Sequence, residues 1–212
     1  MSGESGRPAG GNDRFPGFAA AAQAPHWDAV TAGVVLSRLG RPRDIRFFTP
    51  AEEAVATALT DRLLGQDGEP RIPVVEMIDA RLAEQETDGW RYADLPEDGQ
   101  AWRDTLRHLD ADAQAKFARP FARCSADEQR DLIQAVQDAG SGQWHGLNAA
   151  HVWSLWTRYA ATAFYSHPWA WSEIGFPGPA YPRGYKNPGV DAREPFEVRD
   201  VAPADDPVGD GC

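Results

Sequence analysis

Residues 46–65 read RFFTPAEEAVATALTDRLLG, and this stretch decides the fold class. Thr49 stands as an N-cap, Pro50 suits the first helical position, and Glu52 completes a capping box. Val55, Ala58, Leu59 and Leu63 fall on one helical stripe before Gly65 and Gly68 stop it. The same grammar recurs in SADEQRDLIQAVQDAG. Ser125 caps, Glu128 closes the box, Leu132, Ile133 and Val136 face inward, and Gly140 ends the run. Between the two, a helix from about Pro73 buries Val75, Ile78 and Leu82 and turns Glu76, Asp79 and Arg81 to water. Ala101 to Leu109 carries Trp102, Leu106 and Leu109 at helical spacing. Asp110 is then placed to cap a short helix bearing Phe117 and Phe121, disturbed by Pro120. A last helix, about 149–165, has Val152, Trp156, Tyr159 and Ala163 on one face and Trp153, Ala160 and Phe164 on the next. So wide an apolar arc suits a central helix or one that touches two things at once. No segment alternates at period two. The expected fold is all-α: five to six helices in an irregular bundle, with a long Pro/Gly/aromatic-rich C-terminal arm.

That arm begins where periodicity stops. AFYSHPWAWSEIGFPGPAYPRGYKN, residues 163–187, holds seven Phe, Trp and Tyr rings with four prolines and three glycines, a mixture that argues against regular structure. The chain is expected to divide into a disordered N-terminus (1–24), a helical domain (25–165), an aromatic docking arm (166–199) and a disordered tail (200–212). The segment QAPHWDAVTAGVVLSRL has an apolar side of Trp27, Val30, Val34 and Leu36 and is a candidate second docking element.

Bulk properties exclude several functions. The net charge is -11 and the pI about 4.8, so phosphate backbones and anionic membranes are repelled and no nucleic acid is expected as a partner. No apolar run is long enough to span a bilayer, and no signal peptide or twin-arginine leader is seen, so a cytoplasmic protein is expected. Cys124 and Cys212 form neither a metal spacing nor a disulfide framework.

The motifs of catalysis are equally sparse. The five histidines lack the convergent spacing of a metal site. Ser166 beside His167 is adjacency rather than a triad, and no nucleophile elbow is present. No glycine-rich dinucleotide loop, P-loop or haem motif occurs, so no cofactor is expected on this chain. The arm instead suggests binding. Trp169, Trp171, Phe176, Tyr181, Tyr185 and Phe196, at roughly 150 Å² each, carry about 900 Å², close to one partner's share of a standard interface, about 800 Å². Candidate partner-binding residues are Trp153, Trp156, Tyr165, His167, Trp169, Trp171, Phe176, Tyr181, Arg183 and Tyr185, with Lys186 at the rim.

FYSHPWAWSEIGFPGPAYPRGY resembles the C-terminal signature of the gluconate 2-dehydrogenase subunit 3 family. The signature's Tyr-Ser-His-Pro step falls on Tyr165 to Pro168. Its aromatic-x-Glu-Ile-Gly segment falls on Trp171 and Glu173 to Gly175, and its Gly-Pro, Pro and Gly-Tyr on Gly178, Pro179, Pro182, Gly184 and Tyr185. FFTPAEEAVATALTDRLLG and RIPVVEMIDARL resemble the family's opening helices, so the likeness runs from about Phe47 to Tyr185. The resemblance implies a non-catalytic small subunit. It also implies a large partner of the glucose-methanol-choline type that holds FAD and oxidises a sugar, polyol or alcohol, in some complexes with a cytochrome c subunit. Many members carry a twin-arginine leader, and this sequence departs from that pattern, which favours a cytosolic complex. The alternative is a stand-alone enzyme with His167 and Glu173 as acid and base under the arm.

Overall fold

A computed structural model of the chain describes residues 15–69, 71–187, 189 and 192–199. Among these, the elements in order are a 3₁₀ helix Ala20–His26, α1 (Ala29–Ser37), α2 (Pro50–Leu64), α3 (Val74–Ala83), α4 (Asp98–Phe117), a 3₁₀ turn Phe121–Arg123, α5 (Ala126–Asp138), β1 (Gln143–Trp144), β2 (Leu147–Asn148), α6 (Ala149–Tyr165) and α7 (Pro168–Glu173). The fold is all-α, as expected. Among the described residues the one sheet is a hairpin of two-residue strands in which Gln143 pairs with Asn148 and Trp144 with Leu147. The turn residues His145 and Gly146 both take positive φ, the geometry of a tight hairpin whose twist matches its strands.

The contacts divide the described residues into two compact units, Pro42–Phe164 and the pairing of 15–41 with 165–199. This boundary differs from the expected one. Residues 25–41 group with the arm rather than with the helices, because Trp27 and Val35 are buried against Trp171 while Val30, Val34 and Leu36 stay exposed. Residues 15–24, expected to be disordered, hold a buried Phe15 and most of the first 3₁₀ helix. The expected disordered tail, 200–212, and residues 1–14 lie outside the described residues.

The unit Pro42–Phe164 is built on capped helices. α2 and α5 both carry the full capping box, Thr49 with Glu52 and Ser125 with Glu128. α2 packs against α3, α4, α5 and the Phe121 turn, burying Val55, Ala56, Leu59 and Thr60. The buried stripe is thus displaced from the expected one, with Ala58 and Leu63 only half-buried. Asp79 of α3 is the sharpest departure on this element. Expected on the wet face, it is fully buried, and its carboxylate accepts the backbone N–H groups of Arg46, Phe47 and Phe48 at 2.7–2.8 Å. These amides precede the α2 N-cap, so a side chain on α3 fixes how the chain enters α2.

α4 is one 20-residue helix, where the sequence suggested a break at Asp110. Neither proline nor glycine interrupts 100–117, so nothing stops propagation. Asp110 does act as a cap, but for the next turn: it accepts the Phe121 N–H at 2.8 Å. α6 crosses to α4 through side chains. The Trp156 indole donates to Thr105 at 3.0 Å, and Trp102 meets Tyr159 edge to face at 5.8 Å. All four are buried. Cys124 is buried beside α5, its Sγ 3.6 Å from the Pro120 carbonyl. Burial raises its thiol pKa above the usual value.

Candidate functional site

The arm is more ordered than its composition suggests. Pro168 opens α7 at a position where its missing N–H costs nothing, so the proline expected to prevent a helix starts one. His167 is the N-cap, its Nδ1 accepting the Trp169 N–H at 3.2 Å. Its other nitrogen therefore carries the proton and donates to the Arg38 carbonyl at 2.9 Å. Trp171 is buried with Trp27, Ala20 and Val35, meets Trp27 edge to face at 6.4 Å, and donates its indole N–H to the Tyr165 carbonyl at 2.6 Å.

Two glycines receive rings from the N-terminal segment. A Cβ at Gly178 would lie 2.3 Å from Trp27 Cζ2, and one at Gly175 would lie 2.7 Å from Phe15 Cζ. Both glycines have positive φ, so any side chain there meets steric and conformational cost together. The same glycines are therefore ring sockets, with no room for a phosphate. Polar pins complete the arrangement: Ala20 N–H to Ser172 Oγ at 3.0 Å, Arg38 to the Ser166 carbonyl at 2.6 Å, and Arg183 to Gln23 at 3.2 Å. Arg183 also lies over the Phe196 ring at 3.9 Å and donates to the carbonyls of Pro177 and Pro179.

The candidate binding residues separate accordingly. Trp156, His167 and Trp171 are corrections: each is buried within the chain and hydrogen-bonded there, so none presents a surface to a partner. Trp153, Trp169 and Arg183 are half-buried. Tyr165, Phe176, Tyr181 and Tyr185 are exposed. Sequence reasoning missed Phe15 altogether, and it singled out Trp27, Gly175 and Gly178 without the pairing of ring and glycine that joins them. The spacing of the two glycines was visible, but nothing local tells which rings they admit.

His167 is a poor acid or base. Both its nitrogens are committed, and burial holds its pKa below the usual histidine value. Among the described residues no group of three or more His, Cys, Asp or Glu is placed to hold a metal ion. The unit Pro42–Phe164 has its own charged cluster. The Tyr159 hydroxyl donates to Asp98 at 2.6 Å, Arg158 lies 3.6 Å from Asp98, and both Arg158 and Arg81 pair with Asp88. Burial, then the Asp98 bond, pushes the Tyr159 hydroxyl well above its ordinary pKa. It stays protonated, as a structural donor rather than a base. A cavity of about 920 Å³ opens over Asp98 and Tyr159, with Phe47, Trp90 and Arg103 on its walls. The Arg103 guanidinium is committed to Glu52 and the Phe47 carbonyl.

No helix among the described residues is long and apolar enough to cross a membrane. No curated protein and no solved structure matches the chain. The family model for gluconate 2-dehydrogenase subunit 3 matches residues 50–178, from the capped start of α2 to the Trp27 socket. With α2 to α7 and most of its arm signature inside that match, the chain belongs to the gluconate 2-dehydrogenase subunit 3 family.

Proposed function

We propose that the chain is a non-catalytic small subunit that binds and stabilises a large FAD-dependent oxidoreductase subunit of the glucose-methanol-choline type, acting on a sugar, polyol or alcohol, in a cytoplasmic complex. One observation carries the docking part of this reading. Of nine exposed large hydrophobic residues among those described, eight (Val30, Val34, Leu36, Tyr165, Ile174, Phe176, Tyr181 and Tyr185) belong to the unit formed by the two ends of the chain. Residues 15–41 and 165–199 also carry six Lys and Arg against five Asp and Glu, on a chain of net charge -11. A nearly neutral, ring-bearing surface on an otherwise acidic body is what protein association favours. The enzyme reading loses its base, because His167 is turned inward.

The test is co-purification. The tagged full-length chain should bring down a flavoprotein with bound FAD, and Tyr181→Ala with Tyr185→Ala should weaken that association by at least about 30-fold if the pair is a hot spot. A chain that oxidises a sugar or alcohol when purified alone overturns the proposal.

A further inference from the structure

The segment that fills the arm's sockets, residues 15–41, lies outside the family match of 50–178. It is fastened to the arm along its length: Phe15 at Gly175, Ala20 on Ser172, Gln23 on Arg183, Trp27 at Gly178 and against Trp171, and Arg38 on Ser166 and His167. One purpose of such fastening is to cover Trp171. That does not explain α1, the part of the segment that turns outward.

α1 has nine residues and no charge among them, AVTAGVVLS. Asp28 caps it, accepting the Val30 and Thr31 N–H groups at 3.0 and 3.1 Å. Val35 points into the Trp27–Trp171 cluster, whereas Val30 is 76 %, Val34 52 % and Leu36 39 % exposed. Gly33 lies between the two valines in sequence, and a Cβ added to it would meet nothing within 4 Å. For a solvated helix this is a poor choice. Glycine and β-branched residues lower helix propensity, and a nine-residue helix is too short to stand on propensity alone. The sequence makes sense if another surface covers that face.

We infer that α1 is a second docking element, pinned to the arm so that Val30, Gly33, Val34 and Leu36 meet an uncharged apolar surface of the large partner subunit; this rests on the function proposed above. The competing occupants are disfavoured by charge and length. Two copies of a chain with net charge -11 repel each other. A lipid surface finds no cation on the helix, and nine residues fall well short of the roughly 20 that span a bilayer. Partner binding has a further argument in its favour. Tyr165, Phe176, Tyr181 and Tyr185 are 51 %, 37 %, 69 % and 61 % exposed, so at roughly 150 Å² per ring they offer about 330 Å². That is under half of one partner's usual share, about 800 Å², and α1 supplies more apolar area in the same unit.

The experiment uses the FAD-containing oxidoreductase that co-purifies with tagged wild-type chain, released and titrated back onto full-length variants. Val30→Asp with Val34→Asp should weaken binding at least tenfold without changing thermal melting, because both side chains are already in water. Tyr181→Ala with Tyr185→Ala serves as the parallel arm. If the aspartate pair binds like wild type while the tyrosine pair is weakened, α1 is not a docking element and the proposed function stands. A wild-type chain that captures no flavoprotein removes both. A wild-type dimer in light scattering that Val34→Asp dissolves assigns the face to a second copy and overturns the inference.

Discussion

At the scale of single residues, the arm's chemistry is fixed by groups facing its own chain. His167 is held neutral: its Nδ1 lone pair caps α7, and protonating it would set an N–H against the Trp169 N–H. Because burial lowers its pKa in the folded state, the unfolded chain binds the extra proton below about pH 6.5. Stability should be full above that pH and fall as the pH drops toward 5. His108, also depressed by burial, adds to the slope, so the diagnostic quantity is the difference between wild type and His167→Gln, which should shrink on acidification in urea titrations. Gly178→Ala places a methyl group against the Trp27 ring. Overpacking of this kind costs about 1–3 kcal/mol, read as an earlier loss of near-ultraviolet tryptophan signal on heating. Asp79→Asn replaces a carboxylate oxygen by an amide that cannot accept, leaving at least one of three amides unpaired. It should cost about 2–3 kcal/mol in chemical denaturation.

At the scale of elements, what was legible in the sequence was what is local. The capping boxes at Thr49 and Ser125 announce α2 and α5 because each is completed within four residues. Ser125→Ala should cost about 1 kcal/mol, measurable as a lower urea midpoint with unchanged slope. The misreadings share a cause. Asp110 looks like a cap and is one, but its target amide is eleven residues ahead, so α4 runs through it. Asp79 looks like a surface acid because its three donors come from about thirty residues earlier. Pro168 reads as a breaker until its place at the first helical turn is known. On the arm, exposure of Tyr181 and Tyr185 followed from composition, but the inward turn of Trp171 depends on Trp27, 144 residues away in sequence. No periodicity carries that information.

At the scale of the whole molecule, the two units should respond differently to substitution. Trp171→Ala removes a buried ring from the unit made by the chain ends and should cost that unit about 3–5 kcal/mol. Tyr181→Ala should leave folding unchanged within about 0.5 kcal/mol. Limited proteolysis with peptide mapping separates the outcomes: the first should expose sites in 15–41 and 165–199, the second should not. Inside the unit Pro42–Phe164, the sequestered sulfur of Cys124 has a use of its own. In a Cys212→Ser background it is the chain's sole remaining thiol, and it reacts with an alkylating reagent only when the turn beneath α5 comes apart. The rate of labelling is then a stopwatch on that opening, kept by the native chain without any added dye.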